Sequence, residues 1–525
     1  MTQVPAPVGN RLPRSVVGLL LAGTLARLAL AVIVEPGLDE AYAIAVANLH
    51  QLSWFDHPPM TFWWVAAMRA LAAPVFGADV PAVVLRLPFV LAFTATAWAL
   101  FDLTRRLFGP RAGWWAVLAL TLAPFFLVSA GSWLVPDGPL LLFLTLAARS
   151  LAVLLYDAPD PDRARRHWLA LGLALGLAGL SKYHAALFAV AALAFVVATP
   201  HRRRLLAPWP WLAVVVAALV VSPVLIWNAE NGWVSFLFQA SRGGGHGPNW
   251  VGFGRQIIGQ LAYLTPWTLV GLLVAAAAAL RETHDRSGPI AFLVALAVLP
   301  IGLFTVVPLF GGDGLPHWQM PGWIFLFPLL GRALAGAEAE GRPALPRLAV
   351  RFAGLTAFLL ALAAFAVTTL RLSPPSPATV ARFRLERPLA EATSWTGLAA
   401  ALAERGLLAP DAAGRPPIVV AFRWMEAARL GEALGGRATV AVFDDDPRGF
   451  AFLADPRNFV GRDLILIGRP DTFARGLAEN TNRFARIEPQ APIRVGLGGA
   501  PLVEIDLAVG HDLREPPRLP YPARP

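Results

Sequence analysis

One lysine stands among 43 arginines, at position 182. It lies in Ser181-Lys182-Tyr183-His184, between two apolar runs, where an ionisable group at membrane depth points to function. Its ammonium is a compact point charge suited to a phosphate oxygen; chance retention is the plain alternative. Carboxylates open several apolar or amphipathic stretches: Asp39-Glu40, Asp56 in Trp54-Phe55-Asp56-His57-Pro58-Pro59-Met60, and Asp137 in Val135-Pro136-Asp137-Gly138-Pro139. Helix N-termini favour carboxylates, so Asp39, Asp56 and Asp137 are also cap candidates, and His57 before two prolines reads equally as a structural loop residue. Arg86 lies a turn inside an apolar run, where snorkelling is the alternative. Arg242 and His246 fall in a glycine loop, and His317 precedes Trp318. Such groups above a greasy bundle suit a substrate that is half lipid and half anion. A carboxylate can take a proton from an acceptor hydroxyl, and cations can neutralise charge developing on a leaving phosphate. Asp102, Arg149, Asp157 and Asp444-Asp445-Asp446 read as interfacial or solvated charges without a role.

The elements that must hold these groups are membrane spans. Of 525 residues 56% are hydrophobic and 15% charged, and mean hydropathy is +0.57; a water-soluble surface cannot be built from so few charges. The absence of cysteine excludes disulfides, zinc-thiolate sites, iron–sulfur clusters and cysteine nucleophiles. A bilayer core of about 30 Å needs roughly 20 apolar residues as helix. Runs of that kind fall at 15–34, 82–103, 112–130, 138–156, 168–182, 184–199, 209–228, 260–280, 289–309, 319–335 and 348–371. The first leads into a multi-span chain without an isolated cleavage site and is not a cleavable signal peptide.

Loop charge orients the spans. The net charge of +10 comes mostly from short loops carrying Arg105, Arg106 and Arg111, then Arg163, Arg165 and Arg166, then Arg202, Arg203 and Arg204. This is the pattern of cytoplasmic loops, not of a nucleic-acid surface. All basic clusters share one side if the chain starts inside and crosses eleven times. Residues 168–199 must then go out and return as two short helices turning at 181–184, each about 16 residues and roughly 24 Å long. One long tilted helix is the alternative.

The topology puts 35–81, 131–137, 229–259, 310–318 and the tail outside. Two domains are expected: a transmembrane domain over 1–372, with amphipathic interfacial helices near 37–50 and 62–71 in the first outer loop, and a small periplasmic α/β domain over 373–525. In the latter, strands are predicted at Ile418–Phe422, Ala438–Phe443, Asp463–Gly468 and Leu502–Ala508, with a helix from Met425 to Leu434.

With those motifs in view, the chain resembles the bacterial protein mannosyltransferase-like glycosyltransferases (family 39, GT-C superfamily), and among them enzymes like the lipid A aminoarabinose transferase. The matching stretches are DEAY at 39–42, WFDHPPM at 54–60, RLPFVLAF at 86–93 and VPDGPLLLF at 135–143. Then come GLAGLSKYHAALF at 176–188, SPVLIWNAENGWVSFLFQ at 222–239 and HWQMPGWIFLFPLL at 317–330. The resemblance covers roughly residues 10–335. It implies inverting transfer of a hexosyl or pentosyl unit from a polyprenyl-phosphate carrier to an envelope acceptor, either lipid A, another glycolipid or a protein hydroxyl. The reaction would take place at the outer face of the bacterial inner membrane. It further implies Asp39 and Glu40 as catalytic residues, Asp39 as base or acceptor binder. Lys182, Arg86, His57, Asp137, Tyr183, Arg242 and His317 would bind the carrier phosphate or substrate. Asp56 falls where relatives hold a metal near an acid, which makes it a candidate ligand of a divalent ion, although His57 replaces the relatives' lysine.

Two other classes remain in view. A transporter or flippase of lipid-linked sugars needs ionisable groups near the midplane and pseudo-symmetric halves; here most polar groups lie at the outer surface. An inactive partner subunit would bind polyprenyl phosphate without turnover.

Overall fold

In the computed structural model the described residues are 12–245, 247–312, 314–385, 388, 389, 391, 393–496 and 502–521. Long apolar segments can satisfy their backbone inside hydrocarbon only as helices, and helices dominate: α1 (Arg14–Ile33), α2 (Leu38–Val46), α3 (Met60–Phe76), α4 (Ala82–Phe108), α5 (Pro110–Leu122), α6 (Asp137–Tyr156), α7 (Pro161–Ser181), α8 (Ala185–Ala198), α9 (Pro208–Glu230), α10 (Val234–Ser241), α11 (Trp250–Leu264), α12 (Pro266–Glu282), α13 (Pro289–Val306), α14 (Phe327–Ala339) and α15 (Ala344–Leu372). By length and composition seven helices can cross a membrane, or up to ten if each of three bent pairs is one span. The expected eleventh, α7, is 21 residues long but opens on Asp162, Arg163, Arg165 and Arg166.

Prolines account for the main departures from the expected spans. The run 112–130 is not one helix: α5 ends before Ala123-Pro124, and Phe125–Ser132 continues at 84° to it. The run 260–280 likewise breaks, with α11 and α12 at 95° and Thr265 at a φ of 67° before Pro266. Proline lacks the N–H that the helix ladder needs and pushes the residue before it out of the α region. The break expected at 181–184 is present: α7 ends at Ser181, Lys182 is extended, and α8 starts at Ala185.

The chain forms two compact units, described here in turn. The first holds 12–30, 87–226 and 237–362. Its core joins Phe93, Phe126, Leu144, Phe188, Phe292 and Phe325. Small residues set its closest helix approach. A Cβ on Gly172 of α7 would strike the Ala213 carbonyl of α9, and one on Gly176 would lie 2.5 Å from Val220 Cβ. Close backbone approach of this kind is what drives helix association where lipid removes the hydrophobic advantage. At the arginine-rich end, buried Asp102 accepts from Arg106 at 2.7 Å and also holds Arg105 and Arg149. Asp102 and Arg149, read from sequence as interfacial or solvated, thus join Arg105 and Arg106 in a local fastener.

The second unit holds 31–86, 227–236 and residues from 363 onward. Its sheet contains β1 (Ile418–Ala421), β2 (Thr439–Val442), β3 (Leu464–Gly468), β4 (Phe484–Val495) and β5 (Val503–Leu513) in the order β2-β1-β3-β5-β4. β1 is parallel to β2 and β3, with Val420 opposite both Ala441 and Leu466; β3–β5 and β5–β4 are antiparallel. Uniformly apolar β1 and β3 are buried along their whole length, as strands inside a parallel arrangement must be. Two helices complete this layer, α16 (Trp424–Leu434) and α17 (Pro470–Asn480). α2 lies against α16 so closely that a Cβ on Gly431 would strike Ala45. β4 and α17 were not anticipated. β4 carries Pro489 and Pro492 with a register shift between Gln490 and Ile493, which an edge strand tolerates and a central one does not.

The chain has no native cysteine, so single cysteines report topology without background. In spheroplasts, a membrane-impermeant maleimide is expected to label Gly244→Cys and to spare Arg203→Cys until the membrane is opened. The opposite pattern would invert the assigned sidedness.

Candidate active site

In the first unit the sequence-predicted groups converge on the α7–α8 break. The proximity of Pro136 and the start of α6 put Asp137 in a helical first turn, where the dipole favours a carboxylate. Lys182 Nζ lies 2.9 Å from both Asp137 oxygens, and the two side chains are only 3% and 6% exposed. A buried charge without a partner is expensive, so each of these groups requires the other. Tyr183 and His184, next in the turn, are half-buried. The His184 ring stacks on Phe304 at 4.8 Å and meets Trp318 edge-on at 6.2 Å. Arg242 sits above the same Trp318, its guanidinium carbon 4.6 Å from the ring centroid, a cation–π contact. His317 is half-buried beside it in the chain. Thus Lys182 and Asp137 form one pair, and Arg242 reaches the 182–184 turn through Trp318 and His184. Trp318 is named with His317 from the sequence, whereas His184 and Phe304 are not singled out there, although SKYH contains the first of them. His246 lies outside the described residues.

In the second unit Asp39 is exposed in the first turn of α2, whereas Glu40 is fully buried. Arg86 meets Glu40 in a two-pronged pair, Nε to Oε1 at 2.8 Å and Nη2 to Oε2 at 2.6 Å. Arg86 Nη1 also donates to the carbonyls of Ala31 at 2.8 Å and Val34 at 2.7 Å, and Gly37 N donates to Glu40 Oε2 at 3.0 Å. Glu40, expected at an aqueous face, and Arg86, expected a turn inside a span, are instead sealed against each other, because a guanidinium fork and a carboxylate satisfy most of one another's hydrogen-bonding capacity. They fasten the α1–α2 connection and so set the position of Asp39. Asp56, also buried, accepts from the Tyr42 hydroxyl at 3.0 Å, and that hydroxyl oxygen accepts from Gly449 N at 3.0 Å. Burial, and then the Asp56 carboxylate, push the Tyr42 hydroxyl well above its ordinary pKa. His57 is half-buried, its carbonyl accepting from Trp54 N at 3.2 Å. Among the described residues no group of three or more His, Asp or Glu side chains is placed to hold a metal ion. A divalent-ion role for Asp56 finds no such group of ligands there, and the Tyr42 phenol is among its contacts.

The Lys182–Asp137 geometry makes a stability prediction. Asp137→Leu leaves an ammonium buried without its counter-charge and is expected to cost about 3–5 kcal/mol, whereas the double variant Asp137→Leu/Lys182→Met recovers most of the loss. Thermal unfolding in detergent checks this; a single variant as stable as the parent would show that the pair is not buried.

Comparisons with known proteins agree on architecture. Residues 56–227 match the family described as dolichyl-phosphate-mannose-protein mannosyltransferase. A lipid A galacturonosyltransferase, RgtD, of Rhizobium johnstonii is 31% identical over 198 residues, 37% of this chain and 38% of that protein. The undecaprenyl phosphate-alpha-4-amino-4-deoxy-L-arabinose arabinosyl transferase of Edwardsiella ictaluri is 29% identical over 336 residues, 60% of this chain and 57% of that one. The matched stretch therefore spans less than two thirds of either relative. The crystal structure of ArnT from Cupriavidus metallidurans bound to undecaprenyl phosphate superposes with a TM-score of 0.63 at 17% identity, covering 94% of this chain and 97% of that one. With α-helical spans and a mixed C-terminal sheet, the chain is a multi-pass membrane protein with the fold of that crystal structure, and it is similar over part of its length to those two transferases.

Proposed function

We propose that the chain is an inverting glycosyltransferase. It moves a hexosyl or pentosyl unit from a polyprenyl-phosphate donor to lipid A or another envelope acceptor, at the outer face of the inner membrane. The N-terminus is then cytoplasmic and the sheet domain periplasmic, in keeping with the arginine-rich loops. The observation that carries the reading is the Lys182–Asp137 pair. It is an ion pair kept out of solvent, in the chain next to His184, whose ring meets the aromatic ring under Arg242. The names of the two relatives, both transferases and one of them specifying an undecaprenyl-phosphate-linked donor, support the same reaction class.

In this reaction an acceptor oxygen bonds to the anomeric carbon as the bond from that carbon to the phosphate oxygen breaks. The electron pair leaves with the polyprenyl phosphate. Lys182 and Arg242 stabilise the departing dianion, which an apolar setting makes more effective than in water. Asp39, the exposed carboxylate of α2, accepts the proton of an acceptor hydroxyl; where the acceptor is itself a phosphate, Asp39 only orients it. Glu40 and Arg86 are positioning residues for α2. A flippase would need no such base.

Transfer from a labelled polyprenyl-phosphate sugar by purified protein tests this. Asp39→Asn is expected to lower turnover to a hydroxyl acceptor by roughly 10²–10⁴-fold, and Lys182→Ala to lower it comparably. Mass spectrometry of envelope glycolipids with and without the gene is expected to show one missing sugar. An unchanged glycolipid profile together with full activity of Asp39→Asn would overturn the proposal.

A further inference from the structure

The sheet domain contains a polar cavity that the proposed transfer does not use. β1 runs through Phe422 and Arg423 straight into α16, and β3 runs through Arg469 straight into α17. The two strands are parallel neighbours, yet the chain leaves β1 for β2 on one side and takes β3 on the other. This is a topological switch point, where open sheets of this kind form a crevice beyond the carboxyl ends of their strands. Both helices are eleven residues long, and neither N-cap side chain hydrogen-bonds the first turn. Each first turn carries one carboxylate, Glu426 in α16 and Asp471 in α17, and Pro470 has no N–H; the remaining N–H groups and the helix dipoles favour negative charge at the crevice.

A cavity of about 260 Å³ lies there, lined by Arg423, Glu426, Arg469, Thr472 and Arg475, with Trp395 on one wall. Arg469 is held at 3.2 Å from Glu426 and 3.6 Å from Asp471, and Arg423 lies 3.5 Å from Asp444. Arg475 is exposed and forms no ion pair among the described residues. Glu391 and Asp471 also border the cavity, the latter turned to solvent. Glu426, 4% exposed, is the informative group. Its Oε1 accepts from Thr472 Oγ1 at 2.5 Å and Arg469 Nε at 3.2 Å, while Oε2 is buried without a partner among the described residues. Burial holds this carboxyl above its usual range. An orphaned buried oxygen costs free energy unless something supplies a hydrogen bond.

We infer that this crevice binds a phosphorylated sugar. The oxyanion meets Arg475, Arg423 and the two helix N-termini, and a ring hydroxyl reaches the free oxygen of Glu426. The inference stands on the sheet domain alone and is independent of the proposed transfer chemistry. The phosphorylated sugar has two sources, a soluble sugar phosphate or the headgroup of a phosphorylated glycolipid.

Equilibrium dialysis of the full-length protein in detergent against radiolabelled glucose 1-phosphate tests the site, with glucose and inorganic phosphate as controls. Saturable binding is expected, with each control at least tenfold weaker, and Arg475→Ala is expected to weaken it tenfold or more while leaving the fold intact. Glu426→Gln should weaken it as well; should that variant not fold, Arg423→Ala takes its place. Nanodiscs with and without lipid A separate the sources. If lipid A competes with glucose 1-phosphate in the parent but not in Arg475→Ala, the ligand is the headgroup; if it does not compete, the soluble sugar phosphate is. Absent saturable binding of glucose 1-phosphate and of lipid A alike, or binding that Arg475→Ala leaves unchanged, overturns the inference. Because Lys182→Ala lies outside this domain, it should leave dialysis unaffected even where it abolishes transfer.

Discussion

A charge removed from water must carry its counter-charge with it, and the polar architecture of this chain follows from that requirement. Lys182 with Asp137, and Arg86 with Glu40, are each sealed from solvent and each bonded through two contacts. In a medium of low dielectric, neither partner is tolerated alone. The pairs consequently dictate local backbone. The first ties the end of α7 to the beginning of α6; the second gathers Ala31, Val34, Gly37 and Glu40 into one connection. Exposed Asp39, next to a locked Glu40, is left on a fixed helical turn.

Backbone obeys a related rule. Within hydrocarbon every N–H must find an acceptor, so interruptions occur only where a residue has no N–H to lose or where polar side chains take over. Pro124 and Pro266 mark two of the bends. At Lys182 the interruption coincides with a buried ion pair, and the helix ends without a proline. Aromatic rings fill the neighbourhood: His184, Phe304 and Trp318 form a shelf on which Arg242 rests. Such a shelf combines a flat apolar face with a fixed cation.

The sheet domain follows soluble-protein logic. Its buried strands are aliphatic, its edge strand carries the prolines, and its strand order reverses at β1 and β3. The reversal places two helix N-termini at one crevice, a consequence of connectivity rather than of any motif in the residues lining it. No glycine-rich phosphate loop is present in the sequence there, so only the fold reveals the site.

Composition, loop arginines and the solitary lysine were enough to read a multi-span bundle, the break at 181–184, the two short helices of the first outer loop and four of the five strands. They were legible because each depends on local physics: hydropathy over about 20 residues, the side preference of cations, and alternation or runs of apolar residues. The bends at Pro124 and Pro266 were visible as prolines, but not as breaks, since proline inside a span is often absorbed as a kink. β4 was hidden by Pro489 and Pro492, whose tolerance depends on being at an edge. What pairs with what was decided only in three dimensions. Asp137 and Lys182 stand 45 residues apart, and Glu40 and Arg86 stand 46 apart; no spacing rule links them. Burial joined Glu40, a catalytic candidate, and Arg86, a binding candidate, into a fastener and left Asp39 exposed, because desolvation is a property of the packed molecule and not of the residue.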